Sequence, residues 1–289
     1  MEKEQDMNLG KKYRMKFLLL VMFIFPLAVS AKSYGETKNL SLPSDGISEM
    51  EIECGAGFLK LRGVEGLDEI KVEADIYAGN KKGEKLRKFI DKYLELSLEK
   101  HGDRAVLISR IEHRHISFFF MDNDKSRVDL TVQIPREMDI EIRDGSGEIE
   151  LKNINGEIDL DDGSGSIDIA DVNGNLEIHD GSGELGIHNV TGRMEIDDGS
   201  GSIEISKATG DVKITDGSGE INLDRIKGDL IIDDGSGSLL ISDIDGNVRI
   251  TDGSGPIILE GISSDVNIVE SGSGGVRLTD VRGNVSGDL

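Results

Sequence analysis

Tryptophan is absent from this 289-residue chain, aromatic residues make up 4% of it, and it contains one cysteine and four prolines. A single thiol, Cys54, cannot form an intrachain disulfide, so the fold is not a disulfide scaffold. Beyond Phe120 there is no Phe, Tyr or Trp at all. That argues against a carbohydrate-binding platform there, since such sites use ring faces for stacking. Basic residues are scarce too: 33 Lys and Arg stand against 56 Asp and Glu, a net charge of −23. Such a surface repels phosphate backbones and anionic headgroups, which excludes nucleic acid as a partner, while divalent cations or a basic surface stay open. Its plainest role is to keep a stack of strands soluble. Nucleophile elbows, Walker loops and zinc motifs are missing, and the many Gly-x-Gly triplets are corners of a tandem rather than phosphate cradles. The chain does not read as an enzyme, and no catalytic, cofactor-binding or metal-ligating residues are assigned.

The longest apolar run, Phe17 to Ala28, is also too short to span a bilayer comfortably. Lys11, Lys12, Arg14 and Lys16 precede it, and Val29-Ser30-Ala31 follows it. That is the pattern of a secretory signal peptide over residues 1–31, with cleavage after Ala31 and Met15 as an alternative start. The expected location is therefore exported: periplasm, cell surface or secreted, with no stable membrane span after cleavage. Lys32 and not Cys stands directly after the cut, so lipid attachment is not expected.

What the chain has in abundance is one motif. Asp-Gly-Ser-Gly recurs every eighteen residues, at Asp144, Asp162, Asp180, Asp198, Asp216, Asp234 and Asp252, and fades to Ser-Gly-Ser-Gly from Ser271. The unit divides as a strand (139–143), a corner (144–147), a second strand (148–152) and a second corner (153–156), with positions two and four of each strand apolar. One face of each strand is then buried and the other wet. Asp-Gly and Asn-Gly are also hairpin signals. An antiparallel meander of these strands, however, would need a barrel too wide for side chains to fill, and the strands are half the length a membrane barrel needs. A parallel β-solenoid with two short strands per 18-residue coil removes the difficulty. Ile140 and Ile142 meet Ile149 and Leu151 across a thin core, Ile154 plugs one margin, and coils stack about 4.8 Å apart in a right-handed winding.

Residues 32–138 form a less regular β-rich capping section before the repeats of 139–289. Leu86, Phe89, Ile90 and Tyr93 fall at helical spacing and mark one short helix over about residues 81–93. The stretch Met50 to Gly66, MEIECGAGFLKLRGVEG, matches the apolar and glycine positions of the unit from Ile140 to Gly156 at an offset of five periods. It reads as a degenerate early coil separated from the array by an insertion, with Cys54 standing where later coils carry Asp. The section covers the first edge of the stack, because an open strand edge invites pairing with other chains.

Together the leader, the opening ISEMEIECGAGFLKLRGVEGLDEIKVEA, the helix, VDLTVQIPREMDIEIRDGSGEIEL and the tandem resemble the bacterial putative-adhesin family of β-strand-repeat proteins, a domain family of unknown function. The resemblance covers nearly all of the chain beyond the leader. It implies an exported, non-catalytic cell-envelope module, structural or adhesive, and supplies no catalytic residues.

The sharpest chemical feature is the aspartate column. Carboxylates about 4.8 Å apart repel, and an Asx-turn from each Asp to the backbone N–H two residues on is the structural relief. Such bonds would lower the Asp pKa values, whereas unrelieved repulsion would raise them and favour a calcium-binding ladder. The calcium-binding nonapeptide repeats, however, place Asp where this chain has Ile149, Ile167 and Leu185. Cys54 reads as a small corner residue rather than a reactive thiol, and His113 and His115 lack a third ligand for a metal. Ile116 to Met121, ISFFFM, reads as core or inter-section packing, with a docking tip as the alternative. Outward positions run from acidic (Glu141, Asp159, Glu177, Glu195; Glu150, Asp168) to apolar and basic (Ile231, Arg249; Leu240, Ile258, Arg277). With Leu240 and Ile258 adjacent and no visible cap before Leu289, the C-terminal coils are the expected contact end for self-association or a protein or cell-surface partner. The other functional alternatives are an envelope-stress or signalling partner and a calcium-binding repeat protein.

Overall fold

Period-two patterning forces these strands to share a core, and the computed structural model, which describes residues 35–112 and 126–289, shows how. The leader over residues 1–31, His113, His115 and the stretch from Ile116 to Met121 lie outside the described residues. The described strands form two twelve-stranded sheets. They begin with β1 (Gly35–Pro43), β2 (Glu49–Glu53), β3 (Leu59–Val64) and β4 (Glu69–Ala78). Helix α1 (Glu84–Tyr93), β5 (Leu94–His101), β6 (Arg104–Ile111), β7 (Ser126–Pro135), β8 (Asp139–Asp144) and β9 (Gly147–Ile154) follow. From there each coil adds a short strand such as Ile158–Asp162 to one sheet and a longer one such as Gly165–Asn173 to the other.

Every ladder in the array is parallel. Ile140 pairs with Ile158, Ile158 with Leu176, and the file continues through Met194, Val212, Leu230 and Val248 to Val266. The parallel solenoid expected from the repeat is therefore what forms. Ile140, Ile142, Ile149, Leu151 and Ile154 are all buried, with Ile154 at the margin.

The early coil is also present, in a place chain order does not suggest. Met50 and Ile52 of β2 pair with Ile140 and Ile142, and Leu59 and Leu61 of β3 pair with Ile149 and Leu151. On their far sides β2 and β3 pair in parallel with β6 and β7. The coil that comes first in sequence thus sits second in the stack. Pairing then turns antiparallel, β7 with β4, β4 with β1, and β6 with β5, which ends the run of coils. Helix α1 buries Leu86, Phe89 and Ile90 and opens at Glu84 rather than near 81, because Gly79 and Gly83 both hold left-handed backbone and keep that stretch in a turn.

The second corner differs from the expected four-residue break. The long strand runs through it, to Ile154 in the first repeat and Asn173 in the next, and pairing resumes from Ile154 to Val172. One residue per coil bends the chain by adopting positive φ: Asn153, Asp171, Asn189, Lys207, Arg225 and Asp243, with Gly261 next in the file. Asn and Asp tolerate this conformation and glycine adopts it freely, whereas long side chains are strained there. Lys207→Gly is expected to raise stability by about 0.5–1 kcal/mol in a urea melt, the relieved strain exceeding the added chain entropy. A lower midpoint would refute this. The last coils slip by one residue: Thr251 pairs with Glu270, so Val269 is left outside the ladder and 43% exposed. Beyond the slip, Val276, Leu278 and Val281 are only partly buried.

Candidate functional site

The aspartate file follows from parity. Ile140, Ile142 and Asp144 share one face of β8, so the ladder that buries the two isoleucines carries the carboxyl inward as well. Asp144 pairs with Asp162, Asp162 with Asp180, and so on to Asp252. Exposure of the seven runs from 9% at Asp144 to 0% at Asp252. The Asx-turn forms as expected in the later coils. The backbone N–H groups of Ser182, Ser200, Ser218, Ser236 and Ser254 donate to Oδ1 of Asp180, Asp198, Asp216, Asp234 and Asp252 at 3.0–3.1 Å. Each Oδ2 of these five is buried with no protein donor, and at Asp144 and Asp162 neither oxygen has one.

The expectation that Asx bonding lowers these pKa values is overturned. All seven are raised, because burial outweighs the polar groups of each corner that act the other way, in the last five the serine N–H. Burial first, and then the neighbouring Asp144 and Asp180, push Asp162 up to about 7. Burial with Asp180 and Asp216 takes Asp198 to about 6, and burial with Asp216 takes Asp234 to about 6. The sequence opposed hydrogen bonding to repulsion and left out the desolvation that parity already implied. Among the described residues no three of His, Cys, Asp or Glu come together in a way that could hold a metal ion.

Cys54 continues the file one coil toward the front. Its N–H donates to the Arg143 carbonyl at 3.0 Å, and burial together with the adjacent Asp144 drives the thiol far above its ordinary range. A thiol held protonated is a corner residue and not a nucleophile.

A second file escaped the sequence reading. Asp139, Asn175, Asp211, Asp229, Asn247 and Asp265 each accept, through Oδ1, the backbone N–H of a residue one coil on: Glu157, Arg193, Asp229, Asn247, Asp265 and Asn284, at 2.7–3.3 Å. The signal was there, since only Asp, Asn, Glu or Arg occupies the residue before each inward aliphatic of the short strands in this series. Nothing but the stacked geometry gives those side chains a partner.

On the outer face of the short-strand sheet an open groove of about 470 Å³ runs over Glu141, Asp159, Glu177 and Glu195. Arg104 closes its front end, its Nη2 lying 2.7 Å from Glu49 and its Nη1 2.8 Å from Glu51 and 3.3 Å from Glu141, and Lys213 sits 2.6 Å from Glu195 at the other end. Such partly exposed pairs add little stability. They leave Asp159 and Glu177 in the middle of the groove. Farther along, Ile231 stands between Lys213 and Arg249 and is 45% exposed. On the opposite sheet Leu240, 41% exposed, pairs with Ile258 as expected, and Ile258 with Arg277.

With this geometry in place, comparison with known proteins adds the following. A family model, Toastrack DUF4097, matches residues 65–245. No curated protein matches the chain. Solved structures similar to it include a putative cell adhesion protein from Clostridium sporogenes, 14% identical with a TM-score of 0.36, covering 72% of this chain and 98% of that one. A putative adhesin from Parabacteroides distasonis is 12% identical with a TM-score of 0.37, covering 88% and 95%. A putative lipid binding protein from the same organism is 13% identical with a TM-score of 0.28, covering 89% and 96%.

Proposed function

The chain belongs to the Toastrack DUF4097 family, whose model spans residues 65–245, and from that premise we propose an exported, non-catalytic β-solenoid serving as a structural or adhesive module of the cell envelope, with its C-terminal coils as the contact end. The observation behind this reading is the change of surface along one stack. Acidic side chains at Glu141, Asp159, Glu177 and Glu195 give way to Lys213, Ile231 and Arg249, and on the other sheet Glu150 and Asp168 give way to Leu240, Ile258 and Arg277. Aliphatic side chains left on an otherwise polar face are what a partner can desolvate. Export rests on the basic and apolar leader followed by Val29-Ser30-Ala31.

The test is the double variant Leu240→Ser, Ile258→Ser. It removes partly exposed side chains and is expected to leave the melting temperature within a few degrees. It is expected to abolish partner capture in pull-down, or to lower the mass measured by light scattering. Unchanged mass and unchanged capture would remove the C-terminal coils as the contact end. N-terminal sequencing of the cell-derived protein tests export separately, with Lys32 the expected first residue.

A further inference from the structure

Seven carboxyl groups stand in one file, one coil apart, and each belongs to a residue at least nine-tenths buried. Five of them use Oδ1 on a serine N–H and leave Oδ2 enclosed with no donor, and two have no donor on either oxygen. An ionised oxygen in that position loses its hydration and faces the charge of the next coil. A carboxyl O–H there is neutral and supplies a donor to its neighbour.

The groups acting on the file relieve it only in part. Its own members, with Asp197 and Asp233 behind Asp198 and Asp234, add to the effect of burial, and the backbone N–H groups of the corners and the Cys54 thiol beside Asp144 act against it without outweighing it. Across the core, the inward positions Ile149, Leu151, Ile167, Ile169, Ile203 and Ile205 are aliphatic. At the far end Ser271 takes the place of Asp, and its Oγ lies 3.2 Å from Asp288. Asp129 shows how this fold surrounds another buried carboxyl: Arg127 Nε lies 3.0 Å from it, and the Phe58 N–H donates to it at 3.3 Å. The file has no such cation.

We propose that the file holds protons on alternate members, Asp162, Asp198 and Asp234, so that ionised and neutral carboxyls alternate along the stack and the solenoid is a pH-responsive element, tightest in mild acid. Alternation places ionised members two coils apart, about 9.6 Å, and halves their repulsion relative to adjacent coils. Protonating these three is the fewest that leaves no two ionised members in adjacent coils, and burial with the neighbouring carboxyls raises them to about 7, 6 and 6. The sign follows from linkage. Between the ordinary carboxylate value of 3.8 and these raised values the folded chain binds more protons than the unfolded chain. Stability therefore falls as pH rises through about 4 to 7 and is flat above.

The experiment compares the wild type with the triple variant Asp162→Asn, Asp198→Asn, Asp234→Asn, whose carboxamides keep the Oδ1 acceptor and place an N–H donor where each proton would sit. The net charge of −23 by itself makes any melting curve slope downward with pH, so the diagnostic quantity is the difference between the two proteins. Between pH 5 and pH 8 the wild type is expected to lose on the order of 5–10 °C more in melting temperature than the variant. Equal slopes, or a steeper slope in the variant, would overturn the proposal. Should the variant fail to fold, infrared spectroscopy of the folded wild type decides. A protonated-carboxyl band that persists at pH 5.5 and fades toward pH 8 supports the ladder, and no such band at pH 5.5 overturns it.

Discussion

Gly201→Ala is expected to destabilise the protein by about 3 kcal/mol or more, among the largest effects of any single methyl group in the array. Gly201 closes an Asp-Gly-Ser-Gly corner with φ of 151°, and a Cβ built there lies 1.7 Å from the carbonyl oxygen of Gly183 one coil earlier. The obstacle is backbone, which cannot rotate away as a side chain would. Both corners are also tied to the next coil, Gly183 N–H to the Ser200 carbonyl and Gly201 N–H to the Ser218 carbonyl, each at 3.0 Å. Relief means parting two coils and losing ladder hydrogen bonds. Gly186 is the control. It occupies an outward strand position where a Cβ meets nothing closer than 3.8 Å, so Gly186→Ala should be neutral or slightly stabilising. Urea melts of the two variants decide the matter: if both share one midpoint, the corners do not stack as described.

Ile214→Ala should cost about 3–4 kcal/mol, while Val276→Ala should cost less than about 1 kcal/mol. Ile214 is fully buried in the middle of the stack, where it pairs with Ile196 on one side and Ile232 on the other. Removing its side chain opens a hole that touches two coil interfaces, and neither neighbour can collapse without disturbing the next. Val276 lies in the last long-strand ladder and is only partly buried, so its loss leaves no closed cavity. Equal losses at the two sites would mean that stability is not passed between neighbouring coils. A denaturant midpoint for each variant is enough to tell.

Much of this fold was legible because the repeat confines the answer. An eighteen-residue period with two alternating runs leaves a stack of two-stranded coils as the packing that buries every Ile and Leu of one face, and the observed pairing of Ile140 with Ile158 is that stack. The early coil was equally readable, since Met50 to Gly66 repeats the pattern and pairs with residues ninety positions on. The Asx bonds from Asp180 onward were local and so followed from local sequence. Harder to read was the continuation of the long strand through its second corner. That bend rests on a single residue of positive φ, and Lys207 and Arg225 there carry no turn signature. The one-residue slip at Val269 was visible only as a fading of the motif.

By itself the sequence determined the period, which face of each strand is apolar, the Asp-Gly-Ser-Gly corner and the presence of an early coil, because all four are written in the spacing of residue types along the chain. Tertiary structure alone decided two things. It placed the β2–β3 coil between β6–β7 and β8–β9, since a segment with one apolar face can dock on any matching edge and only the closing antiparallel strands settle which. It also turned seven corner aspartates into a buried file with raised pKa values, since a carboxyl's proton affinity depends on the water and charge around it, and here that surrounding is the coil above and the coil below.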